Sequence, residues 1–341
     1  MRRNDAAFVG LLVAALLPAH PLHAQQSQKI NIYRFVLDVD VPESPAFVAL
    51  DVAPTQVLRG SAPKPVAASV LARLGSRDDA TSGVALDAAP YFLVGGGVRS
   101  LSSYRSNSIE GRLKRVLTKT LLSLGAVRDA ADPGSPRVSA ALRATFHDPH
   151  DPVLNSTLPE QVAEELAKHD VPPLGTADED VTDRGVDLAP VFAAARRQMR
   201  ASHGVQISGG WGVAGRLRSA AVSRDSLQAV RHTFWLTGQY TFGPRFDLLA
   251  TVQARNAFRS DAHLRAGTAL QRKSTAVDFL GELYYDSADD DLHPGVAVEI
   301  HALPRIGVVS SLTTGPAAAD DGGPSRLRMA VLLRWYVAQR G

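Results

Sequence analysis

The chain has 341 residues, of which 45% are hydrophobic and 21% charged, a composition that excludes disordered and collagen-like proteins. It contains no cysteine, which excludes disulfide frameworks, thiolate metal sites and thiol nucleophiles. Its 37 Lys and Arg residues nearly balance 34 Asp and Glu residues, and no long Lys/Arg block is present. We therefore expect no nucleic-acid partner.

The N-terminus, residues 1–24, has the pattern of a secretory signal peptide. Arg2 and Arg3 precede an apolar stretch over 6–17, and Ala24 offers a small residue for cleavage. Such a stretch rises only about 18 Å as a helix, short of the ~30 Å hydrocarbon core of a membrane. We expect the mature protein to start at Gln25. It contains no apolar run of 18 or more residues, which leaves a soluble exported protein or a membrane β-barrel.

The mature sequence repeats segments of about ten residues in which apolar and polar side chains alternate. In one segment Leu248, Ala250 and Val252 share one parity, and Thr251 and Gln253 share the other. This period of two predicts strands with one apolar and one polar face. The segments are 84–94, 116–127, 137–147, 205–217, 233–242, 246–255, 263–272, 277–286, 294–303, 305–313 and 327–337, and a weaker one at 46–53 brings the count to about twelve.

Alternation occurs both in soluble β-sandwiches and in membrane β-barrels, so three further features are needed to choose between them. The apolar parity carries many small residues, which suit a lipid-facing surface. Aromatic residues gather near the segment ends, as interfacial girdles do. Short connections also alternate with longer ones, a pattern typical of periplasmic turns and external loops.

In these features, residues 84–338 resemble the Gram-negative outer-membrane β-barrel proteins, without matching a characterised subfamily. The resemblance implies an all-β fold, a transmembrane antiparallel β-barrel of about 12 strands with a partly helical insertion. It also implies location in the outer membrane, with membrane lipid and the outer-membrane assembly machinery as partners; a periplasmic location is the alternative. Trp335-Tyr336-Val337 is followed by four more residues, whereas members of the family commonly end on an aromatic residue.

Two parts of the mature chain do not read as barrel strands. The N-terminal segment 25–83 contains a proline-rich stretch, 39–75, which predicts either a packed segment inside the lumen or a first strand with a loop. Within it, the pattern of 66–74 is compatible with a short helix. An insertion at 148–204, with helical patterns at 158–169 and 188–202, is expected at the periplasmic end, where it could plug the barrel or face a partner.

The polar parity predicts what faces the lumen. Ten basic residues stand against four acidic ones, an excess that favours anions in a water-filled pore. The alternative is that these charges pair across strands and fill the interior without conducting. The candidate lumen-lining residues are Arg137, Arg143, Arg231, Arg245, Asp247, Arg255, Arg265, Asp278, Glu282, Glu299, His301, Arg328 and Arg334.

The favoured function is a channel for small, possibly anionic, solutes. The alternatives are an outer-membrane enzyme acting on lipid or peptide at the barrel rim, or a non-conducting structural or interaction barrel. For the enzyme, His147, His263, His293 or His301 could serve at the rim, but no nucleophile motif accompanies them. No catalytic, cofactor-binding or metal-binding residue is assigned, no cofactor is expected, and the sequence leaves the oligomeric state undetermined.

Overall fold

A computed structural model describes most of the chain from residue 43 onward. The described residues are 43–59, 66–74, 80–93, 104–130, 132, 134–169, 189–217, 227–257, 259–274, 276–303, 306–315 and 326–336. The expected signal peptide, 1–24, lies outside these ranges.

Twelve antiparallel strands form one closed barrel in which each strand pairs with its neighbours in sequence and β1 pairs with β12. The predicted fold class and strand count are therefore confirmed. The strands are β1 (Val66–Leu74), β2 (Thr81–Ala88), β3 (Thr120–Asp129), β4 (Arg137–His147), β5 (Gly204–Leu217), β6 (Leu227–Thr241), β7 (Phe246–Arg255), β8 (His263–Arg272), β9 (Val277–Asp286), β10 (Asp291–Leu303), β11 (Ile306–Gly315) and β12 (Arg326–Tyr336).

The predicted helix at 66–74 is wrong, because this segment is β1. It pairs with β2 on one side and β12 on the other, with Ala67 opposite both Asp87 and Tyr336. The pairing closes the barrel, so the wall begins at Val66, before the predicted start at residue 84. The weak strand predicted at 46–53 is wrong as well, since Pro45–Ala49 form a short helix, α1.

The two faces of the wall differ in the way that the alternation predicts. On β7, Leu248 and Val252 are 47% and 48% exposed, whereas Thr251 and Gln253 are almost fully buried. The outward face of the other strands is also apolar, with residues such as Leu283 at 47% exposure. A continuous apolar exterior around a closed sheet is the surface of a transmembrane barrel, because closure leaves no unpaired strand edge.

Five helices accompany the strands in the described part of the chain. We call the end of the barrel where β1 begins and β12 finishes the inner end, and the opposite end the outer end. The β2–β3 and β4–β5 connections both leave from the inner end and carry the remaining helices. These are α2 (Pro90–Leu93), α3 (Ile109–Thr118), α4 (Leu158–Lys168) and α5 (Ala189–Ala201), with a 3-10 turn at Pro152–Leu154.

Both helices predicted in the 148–204 insertion are present as α4 and α5. A buried ionic network joins this insertion to the wall: Lys119 Nζ lies 2.9 Å from Asp148 and 2.8 Å from Asp151, which also accepts the Tyr104 hydroxyl at 2.5 Å. Burial disfavours a charged lysine, but the two carboxylates outweigh that effect and raise the pKa of Lys119 above its ordinary value.

Across the described residues, no helix is both long enough and apolar enough to span a membrane. In the same ranges, no group of three or more metal-ligating side chains is placed to hold an ion.

Candidate solute pathway

Residues 43–59, which we call the luminal loop, lie inside the barrel. Almost every residue of the loop is buried. The loop turns at Asp51, whose φ of 60° lies in the left-handed region, directly after α1. At its base the Arg59 guanidinium lies 3.0 Å from the Glu43 carboxylate, and Thr55 donates to the same carboxylate at 2.5 Å. The loop thus rises from the inner end and returns to it.

One side of the loop is bonded to β2, β3 and β4. Ser44 Oγ donates to Asp87 Oδ1 at 2.7 Å, and the backbone N–H of Ala46 donates to Ser123 Oγ at 3.0 Å. Ser139 Oγ donates to the carbonyl oxygen of Ala46, also at 3.0 Å. Short hydroxyl side chains on the wall therefore satisfy the backbone of α1, whose own length leaves most of its polar groups unpaired.

The other side of the loop is bonded to β7 and β9. Glu282 Oε2 accepts from the backbone N–H groups of Gln56 and Val57 at 2.9 and 3.0 Å. Gln253 Nε2 donates to the carbonyl oxygen of Gln56 at 2.9 Å. Polar wall residues thus bind the backbone of this extended part as they bind α1, and the loop is held by specific partners on opposite walls.

Two wall glycines make room for α1. A Cβ atom added at Gly125 would lie 2.7 Å from Ala46 Cβ, and one added at Gly212 would lie 2.5 Å from Ala49 Cβ. Both distances are far inside van der Waals contact, so any larger residue at these positions displaces the loop.

The tip of the loop meets three wall arginines. Arg255 Nη1 and Nη2 donate to Asp51 Oδ2 and Oδ1 at 2.5 and 2.6 Å, a two-pronged contact. Arg265 Nη1 lies 3.2 Å from Asp51 Oδ1, and Arg73 Nη1 donates to the Asp51 carbonyl oxygen at 3.2 Å. The Asp51 side chain is 46% exposed, whereas the Glu43 side chain at the base is fully buried.

A cavity of about 490 Å³ lies above the tip, at the outer end of the barrel. Its lining holds four arginines, contributed by β4, β5, β6 and β7, and two acidic side chains. The titratable residues that line it are Asp51, Asp129, Arg137, Arg216, Arg231, Arg255 and His263. The cavity is therefore basic, and its floor is the carboxylate-bearing tip of the luminal loop.

The structure places eight of the thirteen candidate lumen residues in the buried interior: Arg143, Asp247, Arg255, Arg265, Asp278, Glu282, Glu299 and Arg334. Arg143 donates to the Arg59 carbonyl oxygen, and Arg59 also pairs with Glu299. Asp247 lies 2.6 Å from Lys273, and Asp278 accepts from the Ser274 N–H at 2.8 Å.

The remaining five candidates lie nearer the ends of the barrel. Arg137 donates to the Leu50 carbonyl oxygen and to Asp129, each at 2.9 Å. Arg231 lines the outer cavity, Arg328 is half-buried, and the half-buried His301 lies 3.4 Å from Asp278. Arg245 is exposed on the β6–β7 connection instead of on a strand, so the wall position predicted for it is wrong.

Several acidic residues escaped the sequence analysis and decide the charge balance of the lumen. Asp87 lies 2.6 Å from Arg334, with both side chains buried. Asp286, at the outer end of β9, is buried and accepts from Arg265 Nε at 2.9 Å. Asp87 could have been found because it lies on the polar parity of the segment 84–94. Glu43 lies outside the predicted segments, and Asp51 lies in the weak segment 46–53, which forms no strand.

The four histidines considered for catalysis lie apart from one another. His293 is buried on β10 with Nε2 2.8 Å from Asp289, and His301 stands at the opposite end of the same strand. His263 Nδ1 lies 3.2 Å from the carbonyl oxygen of Asp261, and His147 ends β4 with its side chain exposed. The structure does not bring them together into one site.

No family model and no curated protein matches the sequence. Solved structures similar to this chain include the KdgM porin in complex with disordered oligogalacturonate, with a TM-score of 0.42 and 6% identity over 80% of this chain and 99% of that one. The NanC porin has a TM-score of 0.40 and 8% identity over 80% and 100% of the two chains. The outer membrane protein Omp33 of Acinetobacter baumannii has a TM-score of 0.35 and 8% identity over 82% and 100%. Structural similarity at these TM-scores and identities does not indicate a shared function.

Proposed function

We propose that the protein is a β-barrel of the Gram-negative outer membrane that passes small anionic solutes and is closed by its own luminal loop in the conformation described here. The observation that carries the proposal is the basic cavity at the outer end, above a loop that is bonded to the wall by polar contacts. A solute entering from outside would meet four arginine side chains before it reached the loop.

The apolar exterior supports the membrane location. Leu236, Leu283 and Val296 are 55%, 47% and 55% exposed. Exposure of so many apolar side chains to water is unfavourable, whereas contact with lipid tails is favourable. We place the inner end of the barrel, with its helical insertion, on the periplasmic side of the membrane. Membrane lipid and the assembly machinery that inserts outer-membrane barrels are then partners of the chain.

The filled lumen favours a second candidate, a non-conducting structural or interaction barrel. Residues 43–59 occupy the interior, and the wall charges largely pair, as Asp87 does with Arg334. The loop is held by apolar packing, with nine of its residues in the hydrophobic core, as well as by polar contacts with the wall. The channel is preferred because the tip of the loop, at Asp51, is tied to the wall by ion pairs and hydrogen bonds next to the outer cavity, which water can replace when the loop moves.

Single-channel recording in planar bilayers tests the proposal. We expect the wild-type protein to be mostly closed, and a variant lacking 43–59 to conduct in discrete steps. A salt gradient should then give a reversal potential with anion preference, because the Asp51 carboxylate is removed from the outer cavity while the four arginines that line it remain. A folded but silent deletion variant would favour the structural barrel. Cation preference would contradict the assignment of anionic solutes.

A further inference from the structure

We propose that Arg255 and Arg265 form a binding site for carboxylate-bearing solutes, and that Asp51 occupies this site as an internal ligand while the barrel is closed. The inference rests on the proposed function, because it names the class of solute and how that solute opens the path. Its geometric basis is the contact between Asp51 and these two side chains at the tip of the luminal loop.

The geometry of this contact is that of carboxylate recognition. Both terminal nitrogens of Arg255 face the two oxygens of Asp51, at 2.5 and 2.6 Å. Arg265 adds a third contact at 3.2 Å. A planar guanidinium matches a planar carboxylate in this two-pronged way, and chloride or a single hydroxyl cannot use both prongs. The site therefore favours an anion with two oxygens at carboxylate spacing over chloride.

The wall orients Arg265 independently of the loop. Arg265 Nε donates to Asp286 at 2.9 Å, and the Arg265 guanidinium carbon lies 5.0 Å from the centre of the Tyr284 ring. Arg255 and Arg265 stand on neighbouring strands, β7 and β8, whose pairing fixes the distance between them. Because Asp286 and Tyr284 belong to β9, Arg265 keeps these partners when the loop leaves the site, and Arg255 keeps its 3.4 Å contact with Gln253 Oε1.

The tip is also the part of the loop that a solute can reach. Asp51 lines the outer cavity together with Arg255, and its side chain is 46% exposed. The base is different, since Glu43 and Arg59 are enclosed and no solute in the cavity touches them. Competition for the arginines can therefore begin only at Asp51.

Competition couples solute binding to opening. A solute carboxylate and Asp51 cannot hold the same guanidinium prongs together, so each molecule bound favours the conformation in which the tip has left the site. By linkage, a loop that is already released binds the solute more tightly by the same factor.

Because the chain contains no cysteine, a single introduced cysteine can be labelled specifically. Ala53 lies two residues beyond the tip and is 6% exposed, so an Ala53→Cys thiol is shielded while the loop is seated. We would measure its rate of modification by a water-soluble maleimide in the full protein in detergent. Sodium citrate, sodium sulfate and sodium chloride would be compared at equal ionic strength.

Citrate is expected to raise the labelling rate by about tenfold over chloride, in the range usual for coupling between linked sites. In an Asp51→Asn background the rate should be high without citrate, and citrate should bind about tenfold more tightly by calorimetry. Asp132→Asn is the matched control, because it removes one negative charge from the β3–β4 connection and should label like the parent.

Equal rates in citrate and chloride would overturn the proposal, as would equal citrate affinity in the parent and the Asp51→Asn variant. An equal effect of sulfate would overturn the carboxylate class. If the Asp51→Asn variant does not fold, the comparison of citrate with chloride in the Ala53→Cys protein still tests the proposal. Labelling does not depend on conductance. A citrate response in a barrel that does not conduct would therefore support this binding site and contradict the proposed channel function.

Discussion

The outer and inner faces of the barrel wall obey different rules. On the outer face, residues such as Leu248 and Leu283 have no specific partner among the described residues, and any apolar side chain of similar size would serve against lipid. On the inner face, several polar residues bond to particular atoms of the luminal loop, as Glu282 does to the N–H groups of Gln56 and Val57. Others bond to one another, as Gln239 does to Asp247. The residue types of the outer face are thus set by the surrounding lipid. Those of the inner face are set largely by contacts within the same chain, including those with the luminal loop.

The largest effect is expected where the inner face holds a buried ion pair. Asp87→Asn leaves the Arg334 guanidinium without its carboxylate, and both side chains are almost completely enclosed. The free energy of unfolding should fall by about 3–5 kcal/mol, the usual cost of leaving one buried charge uncompensated. Denaturant titration in detergent measures it.

A matched control for that prediction lies at the barrel surface. Asp132 pairs with Arg216 at 3.2 Å, but both side chains are substantially exposed. Asp132→Asn should therefore change the free energy of unfolding by less than about 1 kcal/mol. Similar losses in the two variants would mean that the Asp87 pair is open to water.

The lipid-facing role of the outer face is tested by introducing a charged side chain there. Leu283→Arg puts a guanidinium into the lipid-facing belt and should cost about 2–4 kcal/mol of unfolding free energy at mid-membrane depth. Leu283→Ile keeps the apolar surface and should cost less than about 1 kcal/mol. Unfolding is measured in lipid vesicles. If the arginine variant were as stable as the isoleucine variant, the belt would face water.

The same contrast between faces explains what could be predicted from sequence. Alternation reports which side chains meet lipid, and this property repeats along every strand, so β7 and β8 were placed to within a residue. β1 was misread because its alanine- and leucine-containing sequence suits a helix as well as a strand. Only its pairing with β12, far away in the chain, decides the matter.

The luminal loop could not be predicted in the same way. Its conformation depends on contacts such as Asp51 with Arg255, which are 204 residues apart and leave no period in the sequence. Among the fully buried side chains of the strands, the acidic residues outnumber the four arginines, so the basic excess predicted for the lumen is not found there; these acids are Asp87, Asp247, Asp278, Glu282, Asp286 and Glu299. Arginines outnumber acidic residues in the lining of the outer cavity. Glu43 and Asp51 add further negative charge, from the segment that the sequence analysis could assign only to alternatives.

A smaller effect is expected where the loop packs against a glycine of the inner face. Gly212→Val would push against Ala49, since even a Cβ atom would lie 2.5 Å from that side chain. We expect about 1–3 kcal/mol of destabilisation from overpacking, concentrated in the seating of the loop. Maleimide labelling of Ala53→Cys should accelerate in the variant. Gly281→Val is the control, because a Cβ at that outward-facing glycine meets nothing within 4 Å.

The smallest effect concerns pH at the inner end, outside the membrane-spanning strands. Burial lowers the pKa of His150 below its ordinary value of 6.5, and the hydrogen bond between Nε2 and the Ser202 carbonyl oxygen, 3.2 Å long, only partly opposes this. The unfolded chain therefore binds the proton more readily than the folded one, so stability should decline as pH falls from above 6.5 toward the folded pKa. Denaturant titrations across this range should show a shallower pH dependence for His150→Gln than for the wild type. An unchanged dependence would mean that His150 has the same pKa in the folded and the unfolded chain.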